Sequence, residues 1–174
     1  LVGAKLSGLV LGGASFVCTQ FMDAELVGCD LRGVTLRQCN FKGAKLGNSI
    51  LARADASNAL FVEADLRGCD LRGAKLTQSL FVDARLESAD LSAADMQQCI
   101  MHRAQCRGAR FRGADLTYAD LSHADVRLAD FSGATLFRAK LHGIDDNDAV
   151  FPRRHAALGT DAELAAAESW KPRY

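Results

Sequence analysis

Apolar residues return along this chain at a fixed interval of five. From Leu1 through Leu141 every fifth position is apolar, mostly Leu or Phe, with Ala56, Met96, Met101, Cys106 and Val126 as mild exceptions. Neither regular element explains this spacing, because an α-helix repeats its faces near 3.6 residues and a strand near two. Two positions before each centre the chain is small, as at Ala54, Ala64, Ala74, Ala84 and Ala94 and then at every fifth residue from Ala104 to Ala139. Two positions after it Gly is favoured, as at Gly28, Gly43, Gly68 and Gly113, and Gly tolerates the positive φ that a tight turn can require. Each unit therefore supplies a small and a large inward residue, then a corner.

A chain that turns after each short extended piece winds around an axis, and a second period counts its sides. Phe21, Phe41, Phe61 and Phe81 recur every twenty residues, and so do Gln38, Asn58, Gln78 and Gln98. Four units close one coil, so the pattern predicts an all-β solenoid of square section. About seven coils at the ~4.8 Å inter-strand spacing make a rod roughly 35 Å long. Its interior is a set of columns: Leu26, Leu46, Leu66 and Leu86; Leu31, Leu51, Leu71 and Leu91; and the four phenylalanines. Burying each large side chain contributes about 1.5–3 kcal/mol before chain entropy is subtracted.

The units "ADLRG", "ADLSA", "ADLTY" and "ADLSH" carry the form A-D/N-L-X-X, in unbroken register over roughly residues 1 to 145. In this the chain resembles the pentapeptide-repeat family. The resemblance implies a right-handed quadrilateral β-helix, and the hand comes from it alone. The pattern predicts a repeat domain over 1–148 and a separate tail over 149–174. Asp146 breaks the period and Phe151 rejoins it. The tail's "TDAE" at residues 160–163 reads as a capping box opening a helix over about 161–170 that covers the last coil. The opposite end carries Val2, Leu9 and Val10 with no cap, so upstream sequence or a partner is expected there.

Acids and bases balance at 21 each among 174 residues. Neutrality argues against nucleic-acid binding, which selects basic domains, and against a strongly acidic mimic of the phosphate backbone. The chain has no run approaching the ~18 apolar residues of a membrane span and no visible signal peptide. Of the six cysteines, Cys29, Cys39, Cys69 and Cys99 fall in small inward positions. They read as reduced packing thiols of a cytoplasmic protein, and the family resemblance implies a bacterial one.

The sequence offers little catalytic chemistry. "CIMHRAQC" at residues 99–106 resembles a metal-ligand spacing, but Cys99 and Cys106 take inward phases and His102 an outward one, so they do not converge. His123, His142 and His155 read as solvated. No P-loop, nucleophile elbow or dinucleotide fingerprint appears, and one Asp per side at fixed phase is structural. No catalytic, cofactor-binding or metal-binding residue is expected, and no enzymatic activity.

The outward columns say more. Lys5, Glu25, Lys45, Asp65 and Arg85 alternate in sign, which predicts weak cross-rung ion pairs. Gln38, Asn58, Gln78 and Gln98 predict an amide ladder. Leu60, Leu80 and Ile100 break the polar rule, and Val62 and Val82, with Met22 farther down, lie beside them. A contiguous exposed patch of this kind marks a contact surface. The expectation is a scaffold that meets a protein partner, or a second copy of itself, through this face or a coil end. The family resemblance adds two readings: a carboxyl-terminal module of a larger bacterial protein, including some associated with type VI secretion, or a DNA-mimicking modulator of gyrase of the quinolone-resistance type. Arg67, Arg107 and Arg127 in one outward column, and Arg103, Arg107, Arg110 and Arg112 within one coil, interrupt the acidity that the second reading needs.

Overall fold

The structure is a computed structural model of the chain and describes residues 1–152 and 154–169. It is a right-handed quadrilateral β-helix with a short helix, α1 (Ala162–Ser169), in the tail. Each side contributes one ladder residue, the one before the centre. Parallel bridges join it to the residue twenty positions on, from Lys5↔Glu25 without a break to Asp130↔Val150.

Five residues make one side because three hydrogen bonds tie it to its neighbours and a fourth closes its corner. The Leu26 amide donates up to Lys45 O at 2.7 Å, Glu25 down to Ala4 O at 2.8 Å, and Gly28 up to Gly47 O at 3.0 Å. The corner closes when Cys29 N–H donates to Leu26 O at 3.3 Å. The third residue of each corner has positive φ, as in a type II turn. This holds even where the residue is not glycine, for example Arg53 (φ 59), Ala93 (φ 56) and Leu128 (φ 59). The ladder on both sides of the corner imposes a conformation that costs an L-residue about 1–2 kcal/mol.

One amide per unit, that of the residue after the centre, is left over by this scheme. The frequent Asp before the centre accepts it. Asp70 Oδ1 takes the Arg72 amide at 3.1 Å, and Asp130 Oδ1 takes that of Ser132 at 2.8 Å. Asn40 does the same for Lys42 at 3.0 Å. This Asx turn is why the short acid or amide recurs at that phase.

The centres and the small residues two before them fill the interior. All the columns expected to be inward are buried to within 1 % exposure from Phe21 to Leu141. Phe21, Phe41, Phe61 and Phe81 stack with ring centroids 4.8, 5.0 and 5.0 Å apart. Phe111, Phe131 and Phe151 form a second stack at 4.6 and 4.1 Å. Several polar residues in the small inward phase donate to a corner carbonyl of the coil below. Cys69 Sγ reaches Leu46 O at 3.0 Å, Cys99 reaches Leu76 O at 2.9 Å, and Ser79 Oγ reaches Ala56 O at 2.7 Å.

The two ends differ. Val2, Leu9 and Val10 stand 58, 44 and 78 % exposed on the first coil. At the other end the coil persists through the period break, where Arg154 pairs with the carboxylate of Asp146. Leu158 bridges Lys140 with a spacing of eighteen instead of twenty, and Leu141 N–H donates to Leu158 O at 2.9 Å. Helix α1 begins one residue later than the capping box predicts. Asp161, not Thr160, is the N-cap, and its Oδ1 accepts the Glu163 and Leu164 amides, both at 3.0 Å. Trp170, at the end of the expected helix, lies outside the described residues. The helix runs alongside the last two coils, where Glu168 contacts His123 and His142, while Phe151 on Phe131 continues the core.

Candidate protein-binding face

The side of the rod centred on the phenylalanines carries most of the unusual surface chemistry. Its ladder column reads Gln20, Asn40, Leu60, Leu80, Ile100, Asp120 and Lys140 from bottom to top. The three apolar members sit on successive rungs, bridged Leu60↔Leu80 and Leu80↔Ile100. Leu60 and Leu80 are half-buried by their neighbours along the column, and Ile100 is exposed. Val62 and Val82 stand beside them across the buried centres and are also half-buried. Met22 does not join this stripe, because Lys42 occupies the rung between it and Val62 in the same column.

Polar groups rim the stripe on both long edges. One edge is the amide column, where Gln78 Nε2 donates to Gln98 Oε1 at 2.9 Å. That is the one pair of the expected Gln38–Asn58–Gln78–Gln98 ladder that closes among the described residues. Cys18 Sγ donates instead to Gln38 at 3.3 Å. The other edge carries ion pairs, Arg103–Asp83 at 2.7 Å and Lys42–Glu63 at 3.7 Å. A dry centre with a polar margin is the usual anatomy of a protein contact.

Above Ile100 the same face opens into a cleft of about 550 Å³ between the rod and α1, with His102, Asp120, Lys140 and Leu164 among its walls. Burial works to raise the Asp120 carboxyl, but the Ser122 hydroxyl and amide donate to it and, with His102 beside it, hold it down to about 2. His102 Nε2 lies 3.1 Å from Asp120 Oδ2, and Lys140 Nζ 3.4 Å from the same atom. His142 is not solvated as its sequence position suggests. It is buried at 5 % exposure, its Nδ1 accepts the Asp161 amide at 3.1 Å, and its Nε2 faces Glu168 Oε2 at 3.2 Å. His123 Nε2 faces the other oxygen, Oε1, also at 3.2 Å. This meeting of two coils and a helix was not readable from sequence, because Glu168 lies beyond the repeat and has no register to place it.

The arginines are largely spoken for. Arg72 Nε and Nη2 donate to both oxygens of Asp70 at 2.8 and 2.7 Å, and Arg67 and Arg127 treat Asp65 and Asp125 the same way. Glu87 stands between Arg67 and Arg107 in their column. Of the clustered arginines, Arg103, Arg110 and Arg112 pair with Asp83, Asp90 and Asp130. The alternating column is partly realised, with Lys45–Glu25 at 3.2 Å and Arg85–Asp65 at 3.9 Å. Such exposed pairs are worth a few tenths of a kcal/mol each.

The inward thiols are chemically quiet. Burial pushes Cys69 and Cys99 up to about 12 and Cys39 to about 11. All six cysteines are unpaired, and Cys18 alone is exposed. No helix among the described residues is long and apolar enough to cross a membrane.

Solved structures with this architecture span nearly the whole chain. QnrB1, a plasmid-mediated fluoroquinolone resistance protein, is 20 % identical, covers 95 % of this chain and 95 % of its own, and superposes with a TM-score of 0.51. HetL, a pentapeptide repeat protein involved in heterocyst differentiation regulation in Nostoc sp. strain PCC 7120, is 25 % identical over 90 % of this chain and 87 % of its own, with a TM-score of 0.42. Rfr23 from Cyanothece 51142 is 23 % identical over 86 and 88 % with a TM-score of 0.41. At these levels the likeness speaks for the fold alone. No curated protein sequence matches the chain. The family model "Pentapeptide repeats" matches residues 1–38, 39–78, 79–117 and 114–145, which lie within the stretch that forms the square coils. The chain belongs to the pentapeptide-repeat family.

Proposed function

We propose that this protein is a non-enzymatic scaffold that docks a protein, either a different chain or a second copy, against the face centred on Phe61 and Phe81. The observation that carries this reading is the run of three apolar ladder residues, Leu60, Leu80 and Ile100, on successive rungs of a column whose flanking members, Gln20, Asn40, Asp120 and Lys140, are polar. The interior is filled by side chains, so the outward columns are where a rigid rod of this kind acts. Its unpaired inward thiols suit a reducing compartment, the bacterial cytoplasm.

The test exploits the ladder phase. Lys45, Lys75 and Lys140 occupy the equivalent position on other rungs, so the backbone accepts Lys there. Leu60→Lys combined with Leu80→Lys leaves the melting temperature nearly unchanged. The same double change removes self-association in sedimentation velocity, or retention of a partner purified with the parent. If association survives it, the stripe is not the contact.

The gyrase-modulator reading is opposed by the bidentate pairs on Asp65, Asp70 and Asp125, which erase the continuous negative surface of a DNA mimic. A supercoiling assay with purified gyrase separates the two, and inhibition at stoichiometric protein would favour the mimic.

A further inference from the structure

We propose that His123, His142 and Glu168 form a zinc site that pins α1 to the side of the rod. Their nearest donor atoms all lie within 4.8 Å of one another. His123 Nε2 lies 3.2 Å from Glu168 Oε1 and His142 Nε2 lies 3.2 Å from the other oxygen, Oε2, so both rings face one carboxylate across a gap that zinc bonds of ~2.0–2.1 Å can span. Two imidazoles and one carboxylate, with the fourth position open to water, is a donor set that Zn²⁺ accepts readily.

The surroundings shape this site. Gly143 lies directly under the His123 ring, and a Cβ there would come within 2.7 Å of Nδ1 and 2.8 Å of Cε1. Only a glycine lets that ring fold over the next coil toward His142, whose ring it meets edge-on at 5.1 Å. Before loading, His142 Nδ1 accepts the Asp161 amide, and the adjoining cleft has room for a metal-bound water. Coordination through His142 Nε2 places that ring's proton on Nδ1, so the Asp161 amide turns away on loading. The N-cap itself is made by the Asp161 carboxylate and stays in place.

The site would tie the helix, which lies outside the repeat, to two adjacent corners that the repeat already joins through the His123 N–H to His142 O bond at 2.8 Å. Metal loading should therefore protect the tail from proteolysis. It should also raise the melting temperature in step with the free zinc concentration.

The test is calorimetric titration of ZnCl₂ into the chelator-treated, untagged full chain. One saturable site per chain is expected, with micromolar affinity or tighter. His123→Ala and Glu168→Gln, both at exposed positions, should each weaken it by at least ~10-fold, the scale on which even outer-shell partners matter. Cys18→Ser and His155→Ala should leave it unchanged. Loading with Co²⁺ should give visible bands of tetrahedral intensity that are lost in Glu168→Gln. Absence of saturable binding would reduce the cluster to a hydrogen-bonded clasp and overturn the proposal. Binding that survives both ligand substitutions would overturn it equally, by placing the ion elsewhere.

Discussion

Truncating Phe61 to Ala tests whether this rod is held together by stacking between neighbouring coils. Phe61 is fully buried, and its ring lies 5.0 Å from Phe41 below and 5.0 Å from Phe81 above. Removing a ring so enclosed costs about 3–5 kcal/mol, from lost transfer energy and the cavity left behind. For a chain of this size each kcal/mol lowers the melting temperature by about 2–4 °C, so the expected fall is roughly 6–20 °C. Phe16 is the contrasting site. It lies on the open first coil, is only half-buried, and has one aromatic neighbour, Phe21, edge-on at 5.5 Å. With one coil to stack on, Phe16→Ala should cost about half as much. Phe61→Leu should cost less than ~1.5 kcal/mol, since Leu121 and Leu141 fill the same column three and four coils away. Urea titration followed by circular dichroism, with calorimetry alongside, measures all three variants. If Phe16→Ala proves as costly as Phe61→Ala, or Phe61→Ala costs less than ~1 kcal/mol, stability does not come from registered stacking and the reasoning fails.

Acid should unfold the rod through its corner carboxylates. Asp120 and Asp130 sit at about 2, Asp130 because the Ser132 hydroxyl and amide and Arg112 donate to it, and Asp65, Asp70 and Asp125 are lowered first by their arginines. Each group binds a proton less readily folded than unfolded, so its contribution is complete above about pH 5 and lost as pH falls toward about 2. A melting temperature that stays flat across that window would contradict this. Thiol titration at pH 8 should show one rapidly reacting cysteine, Cys18, with the others reacting only in denaturant, because burial holds Cys69 and Cys99 at about 12. A second rapidly reacting thiol in the native protein would mean the inward columns open.

Much of the fold was legible because its period is local. A large residue at each centre and a small one two before it face inward whatever the distant chain does, so Leu66, Leu71 and Phe61 could be placed before any coordinate. The Asp before the centre was visible as a pattern, but its work was not. That Asp70 accepts the amide two residues on, and that Arg72 then grips both of its oxygens, depends on the corner's dihedrals. The twenty-residue spacing predicts a continuous amide ladder, yet only Gln78 and Gln98 meet among the described residues. Side chains leaving from corners of positive φ have freedom that rung spacing alone does not remove.

The sequence by itself determined the square rod, its buried columns and the apolar stripe, because each follows from spacings of five and twenty that the backbone ladder repeats without change. Only the tertiary structure decided what happens where the spacing ends. Once Leu158 pairs at eighteen residues instead of twenty, register no longer says which side chains are neighbours. The meeting of His123, His142 and Glu168 is then set by how one helix lies against two coils, and that is a matter of packing in space.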